Sequence, residues 1–231
     1  MVNKKKIIVA KNAPEKAKYK LDNMGYELVE SAFLQNVQPP LAYHPDMQIV
    51  KCADSYICAP ECFEYYSEVL CRKLVCGESV PEYDYPSDIA YNVAVTDKYA
   101  IHNFHYTDSV FLDNSPYIHI PVNQGYSKCS VCVVSEDGII TSDKGIATSV
   151  AKSGVDVLLI TPGYVSLPGY DYGFIGGASG LVEDNLLCFC GDIGTHPDYL
   201  KIDEFCKKHS VEIVSLCDGG LVDVGTIISV G

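Results

Sequence analysis

Apolar and polar positions recur in a fixed order along this chain, most plainly between Ser127 and Pro162. Val131–Val134 form one apolar run, Glu136-Asp137-Gly138 a turn, and Ile139-Ile140 a second run. An Asp-Gly turn between β-branched runs predicts a hairpin. Ile146, Ala147, Val150 and Ala151 then share one face of a predicted helix that Gly154 stops, and Val155–Ile160 form a third run. The unit is strand, strand, helix, strand.

The same order returns elsewhere. Residues 44–50 (HPDMQIV), 56–60 (YICAP), a helix with Phe63, Tyr66, Val69 and Leu70 inward, and Lys73–Cys76 make one copy. AYNVAVT (90–96), YAIHN (99–103), a short segment over Thr107–Leu112 and YIHIPV (117–122) make another. FIGGASGLV (174–182), LLCFCGD (186–192), a helix with Thr195 as cap, and VEIVSLC (211–217) make a third. The N-terminal segment holds a strand at Lys5–Ala10, a helix capped by Asn12 and stopped by Gly25, and a strand at Tyr26–Glu30. It lacks a first strand, which DGGLVDVGTIISV (218–230) supplies from the other end. Units therefore start near residues 46, 91, 129, 177 and 221, a period of roughly 40–50 residues that marks a repeat architecture. The expectation is one α/β domain over residues 1–231, a closed ring of five ββαβ units with one unit split across the termini. An open doubly wound sheet would explain alternating strands and helices, but not the doubled strand before each helix.

Charge narrows the partners. Thirty acidic against 17 basic residues give a net charge of -13 with no basic stripe. Nucleic acid and anionic membranes need clustered Lys or Arg, so neither is expected, whereas a cationic small molecule is compatible. No apolar run approaches a membrane span, and Ile7–Ala10 after Lys4–Lys6 is too short for a signal core, so a cytoplasmic location is expected. The eleven Cys then read as reduced core thiols.

Five such units closed across the ends resemble the pentein fold, the guanidino-group-modifying enzyme superfamily of hydrolases, deiminases and amidinotransferases with some non-catalytic members. HPDMQIV looks like the early Pro-Asp segment of the small hydrolases. The segment Asp218-Gly219-Gly220-Leu221-Val222-Asp223-Val224 looks like the Gly-rich stretch leading to the nucleophilic Cys of the deiminases. The resemblance implies a Cys, a His and an acid about a central pocket. At the matching places stand Val224, the run Gly176-Gly177-Ala178-Ser179-Gly180, and Ser127-Lys128-Cys129-Ser130. The family's triad is not found there.

Other residues offer chemistry near the axis of such a ring. His44, Asp46 and Gln48 alternate, which on a strand puts them on one face, where an Asp and a Gln can hold a guanidinium and a His can move a proton. The competing reading is a turn with Asp46 capping backbone amides. Lys128 beside Cys129 suggests a thiol of lowered pKa, against a structural thiol with a solvent-facing Lys. Asn92, Ser179 and Asp223 fall at corresponding places, and Asp223 needs Lys128, a backbone amide or a bound cation as partner. The glycines of 176–180 permit close ligand approach or relieve crowding at the axis. Cys129 and Cys132 do not suggest a zinc site, and no metal or cofactor is expected. His102 and His105 are given no role. Two functions follow as expectations. One is binding of a small cationic, guanidino or amino-acid-like ligand, with C–N hydrolysis by Cys129 as nucleophile, His44 as proton carrier and Asp46 as orienting carboxylate. Gln48, Asn92, Lys128, Ser179 and Asp223 would bind the substrate. The other is a non-catalytic scaffold.

Overall fold

A computed structural model describes residues 4–70 and 72–230. The chain starts with β1 (Lys6–Val9), α1 (Glu15–Asn23) and β2 (Glu27–Glu30). A complete unit follows: β3 (Ile49–Cys52), β4 (Ser55–Cys58), α2 (Pro60–Val69) and β5 (Lys73–Cys76). The next comprises β6 (Ala94–Val95), β7 (Tyr99–His102), α3 (Ser109–Asn114) and β8 (Ile118–Pro121). A one-turn helix α4 (Ser127–Ser130) leads into β9 (Val131–Val133), β10 (Gly138–Thr141), α5 (Lys144–Lys152) and β11 (Asp156–Leu159). After a short β12 (Val165–Ser166) come β13 (Ser179–Glu183), β14 (Leu186–Phe189), α6 (Tyr199–Lys208) and β15 (Glu212–Ser215). The last strands are β16 (Leu221–Val222) and β17 (Ile228–Val230).

These strands form five separate three-stranded sheets, which excludes one open sheet. In each, the first two strands run antiparallel as a hairpin and the helix returns the chain to a third, parallel strand. The split unit obeys the same rule. β1 pairs antiparallel with β17, Ile8 opposite Ile228, and parallel with β2. The ends of the chain thus complete one sheet. Middle strands read as unbroken apolar runs because both of their faces are covered, by a helix outside and by the ring interior within; Ile7 and Ile8 are adjacent and both fully buried. Tyr66, Phe111, Ile146 with Val150, and Ile202 with Cys206 supply the inward helix faces. Each fully buried aliphatic side chain contributes about 1.5–3 kcal/mol.

Local chemistry departs from expectation at several points. Neither Asn12 nor Thr195 caps its helix: Pro14 precedes α1, Asp198 precedes α6, and Thr195 lies in a separate 3-10 turn. Asp108 and Asp143 do cap α3 and α5, accepting from Val110 and Phe111 and from Ile146. Gly25 and Gly154 stop their helices in the left-handed region, φ 98° and 81°. The first strands are shorter than their apolar runs, because residues ahead of each form turns. The loop over residues 162–172 carries β12, which pairs with β16.

Candidate functional site

Polar residues collect where the chain enters the first strands. Pro45 opens a 3-10 turn, Pro45–Met47, so residues 44–48 are not extended and their alternation does not hold. His44 and Asp46 face the axis. Gln48 does not: its Oε1 accepts from the Tyr66 hydroxyl at 2.7 Å and its Nε2 donates to Ala32 O at 2.8 Å, locking α2 to the preceding loop. Asn92 lies in the turn ahead of β6, Cys129 in α4 ahead of β9, and Asp223 between β16 and β17. None is more than 3% exposed, nor are His44 and Asp46.

Their contacts are direct. The Cys129 thiol donates to Asp46 Oδ2 at 2.9 Å. Asn92 Nδ2 donates to Cys129 Sγ at 3.3 Å and to Met47 Sδ at 3.4 Å, while its Oδ1 accepts from the backbone N–H of Lys128 at 2.8 Å and of Cys129 at 3.2 Å. Asp223 finds the backbone-amide partners that its apolar strand requires, accepting from Phe174 N at 2.8 Å and Gly225 N at 3.0 Å. His44 Nδ1 stands 3.9 Å from Asp223 Oδ1. Ser179 stays apart from this cluster: its hydroxyl donates to Gly176 O at 3.4 Å, and its carbonyl accepts from the Thr226 hydroxyl at 2.9 Å. Met47 and Thr226 carried no sequence signal for these contacts.

Burial decides the protonation of the cluster. It raises the Asp46 pKa, with His44 partly opposing and Asp223 adding to the rise. It pushes the Cys129 thiol well above its ordinary value, and the Asp46 charge pushes it further. Cys129 is therefore a protonated thiol at neutral pH, the reverse of the activated nucleophile expected from its Lys neighbour. The glycine run nearby relieves crowding. A Cβ on Gly177 would fall 1.9 Å from Asp223 Oδ1, and one on Gly176 would fall 2.3 Å from Lys128 O.

A chamber of about 520 Å³ opens toward the hairpin ends of the first strands, and all five contribute, through Val50, Val95, Val133, Leu181 and Ser229. The cluster residues His44, Asp46, Asn92, Cys129 and Asp223 are not among its walls. Lys128 is. Its position beside Cys129 sets its amine between the sealed cluster and the open chamber. Lys128 is half-buried; burial lowers its pKa and the charge of Asp46 works against that. No carboxylate among the described residues lies within ion-pair distance of its amine. At the turns around the mouth, Lys5 pairs with Glu183 at 2.8 Å and Lys51 with Asp97 at 3.7 Å, while Asp54, Glu136 and Asp184 have no ion pair among the described residues.

Five ββαβ units about an axis, with the sheet of one unit closed by both ends of the chain, define a pentein. Solved structures of that fold match almost end to end. A mutant dimethylarginine dimethylaminohydrolase from Pseudomonas aeruginosa, complexed with citrulline, is 8% identical with a TM-score of 0.58, over 97% of this chain and 98% of the other. An agmatine deiminase from C. jejuni is 9% identical with a TM-score of 0.53, over 98% and 93%. An amidinotransferase of saxitoxin biosynthesis from Microseira wollei is 10% identical with a TM-score of 0.53, over 95% and 93%. Residues 8–228 match DUF6873, a family of unknown function, and the chain belongs to that family. No curated protein matches it. No helix among the described residues is long and apolar enough to cross a membrane.

Proposed function

We propose that this protein is a small-molecule-binding pentein that does not cut C–N bonds with Cys129. Its ligand enters the axial chamber, sets a carboxylate on the Lys128 amine, and turns an ammonium or guanidinium end toward Asp54, Glu136 and Asp184. One observation carries this reading: the polar cluster is sealed at one end of the axis, while an unpaired lysine faces an open chamber at the other. A half-buried amine with no carboxylate within ion-pair distance favours an anionic group there. The chamber volume suits an amino-acid-sized molecule. The citrulline in the name of one matched structure carries the carboxylate and ammonium of that ligand class.

Thermal-shift and calorimetric titration with arginine, citrulline and agmatine tests it. Arginine and citrulline raise the melting temperature, and agmatine, which lacks the carboxylate, binds at least about tenfold more weakly. Lys128→Met removes the preference. Equal binding of arginine by Lys128→Met, or no shift with any of the three, would sink the reading.

The contact between Cys129 and Asp46 favours a second reading, hydrolysis with Cys129 as nucleophile, His44 as proton carrier and Asp46 as orienting carboxylate. It requires the cluster to open and the thiol to lose its proton. Labelling with 2-chloroacetamidine separates the two: covalent modification of Cys129 in the native protein, with ammonia or an amine released from a guanidino compound, selects the hydrolase.

A further inference from the structure

The sealed cluster contains a feature that neither reading uses. His44 Nδ1 and Asp46 Oδ1 are fully buried and have no hydrogen-bond partner. Each such atom is costly to bury, and native proteins leave few of them unexplained. Both belong to residues that, with Cys129, present an imidazole nitrogen, a carboxylate oxygen and a sulfur within 4.8 Å of one another. We propose that His44, Asp46 and Cys129 form a buried binding site for a zinc-class divalent cation.

The donor set fits that class. Thiolate, imidazole and carboxylate together suit a borderline-soft ion with tetrahedral preference, and not calcium or magnesium, which take oxygen alone. A tetrahedral ion with bonds of about 2.0–2.3 Å holds its ligand atoms about 3.3–3.8 Å apart, so the widest pair closes by at most about 1.5 Å and Cys129 Sγ and Asp46 Oδ2, now 2.9 Å apart, open by about 0.6 Å. Asp223 Oδ1 stands 3.9 Å from His44 Nδ1 but outside the three-residue group, so a water would complete the tetrahedron.

The surroundings act as an outer shell of the kind such sites need. Asn92 Nδ2 donates to the sulfur, which supports a thiolate. Gly225, at φ 70°, lies so close to His44 that a Cβ there would fall 2.3 Å from the His44 Cβ and 2.4 Å from its Cγ, so the backbone packs against the base of the imidazole. Two backbone amides hold Asp223. Binding replaces the thiol proton by the metal, releases that proton to solvent, and neutralises the charge of Asp46 without any other cation. The inference does not depend on what the chamber takes.

The test is to unfold the full chain, refold it with cobalt(II) or zinc, remove loose metal by gel filtration, and measure retained metal by mass spectrometry. About one ion per chain is expected, with a thiolate-to-cobalt charge-transfer band and a raised melting temperature. Cys129→Ser should lose the band and Asp46→Asn should weaken retention at least about tenfold, with circular dichroism checking that both fold. A variant carrying Cys76→Ser and Cys217→Ser, the more accessible thiols, should keep the band, which protects the test should Cys129→Ser not fold. Folded protein that retains no metal, or a band that survives Cys129→Ser or vanishes with the accessible pair, overturns the proposal.

Discussion

The Cys129 thiol hydrogen-bonds to Asp46 Oδ2 across 2.9 Å, and neither side chain touches solvent. The thiol's neighbour is thus an acceptor that keeps its proton in place. Iodoacetamide on the metal-free native protein should therefore modify Cys76, which is exposed, and Cys217, which is half-buried, and reach Cys129 only after unfolding. Peptide mass spectrometry reads the sites. Native labelling of Cys129 at the rate of Cys76 would contradict the sealed cluster.

Asn92 joins three segments through four hydrogen bonds, to Met47, Cys129 and the Lys128 and Cys129 amides. Asn92→Ala strands the Cys129 backbone donor in a buried site and leaves the Lys128 amide only its bond to the residue-92 carbonyl. A loss of about 2–4 kcal/mol in urea unfolding is expected. A change below about 0.5 kcal/mol, usual for surface positions, would mean that the network is not needed.

Gly177→Ala places a methyl on Asp223 and should destabilise by more than about 3 kcal/mol or prevent folding. Gly220→Ala is the control: nothing lies within 4 Å of its Cβ, and it should fold with near-native stability. Equal melting temperatures for the two variants would show that the run is not crowded.

His102 is buried, Nδ1 2.6 Å from the Thr107 hydroxyl and Nε2 2.9 Å from Gly125 O. Burial lowers its pKa from 6.5 to about 4. Between those values the unfolded chain binds the extra proton, so this stability is complete above about pH 6.5 and is lost as pH falls toward 4. The difference amounts to about 3 kcal/mol. Urea unfolding across this window should show a shallower pH slope for His102→Gln than for the native chain. Parallel slopes would contradict a neutral buried imidazole.

The ring was legible because its elements depend on local pattern. Apolar runs came in threes around each helix, Gly25 and Gly154 marked helix ends, and DGGLVDVGTIISV supplied the strand that Lys5–Ala10 lacked. His44, Asp46, Asn92, Cys129 and Asp223 were placed near the axis as polar residues at the starts of the apolar runs, and they do meet, although in the turns beside the first strands and not on them. Gln48 was misplaced because Pro45 turns the chain and breaks the alternation. Ser179 was misjudged because its polar groups are taken up by Gly176 and Thr226. The state of Cys129 could not be read from Lys128 beside it, because desolvation outweighs a neighbouring amine and depends on residues far away in the chain.

The pairing of β1 with β17 has a consequence for biosynthesis. Ile8 is synthesised long before its partner Ile228, so the outer edge of β1 has no cover while the chain between them is made. Contacts across so long a stretch of chain form slowly, and an unpaired apolar strand edge is a template for association. That edge stays open until β17 is made and pairs with it.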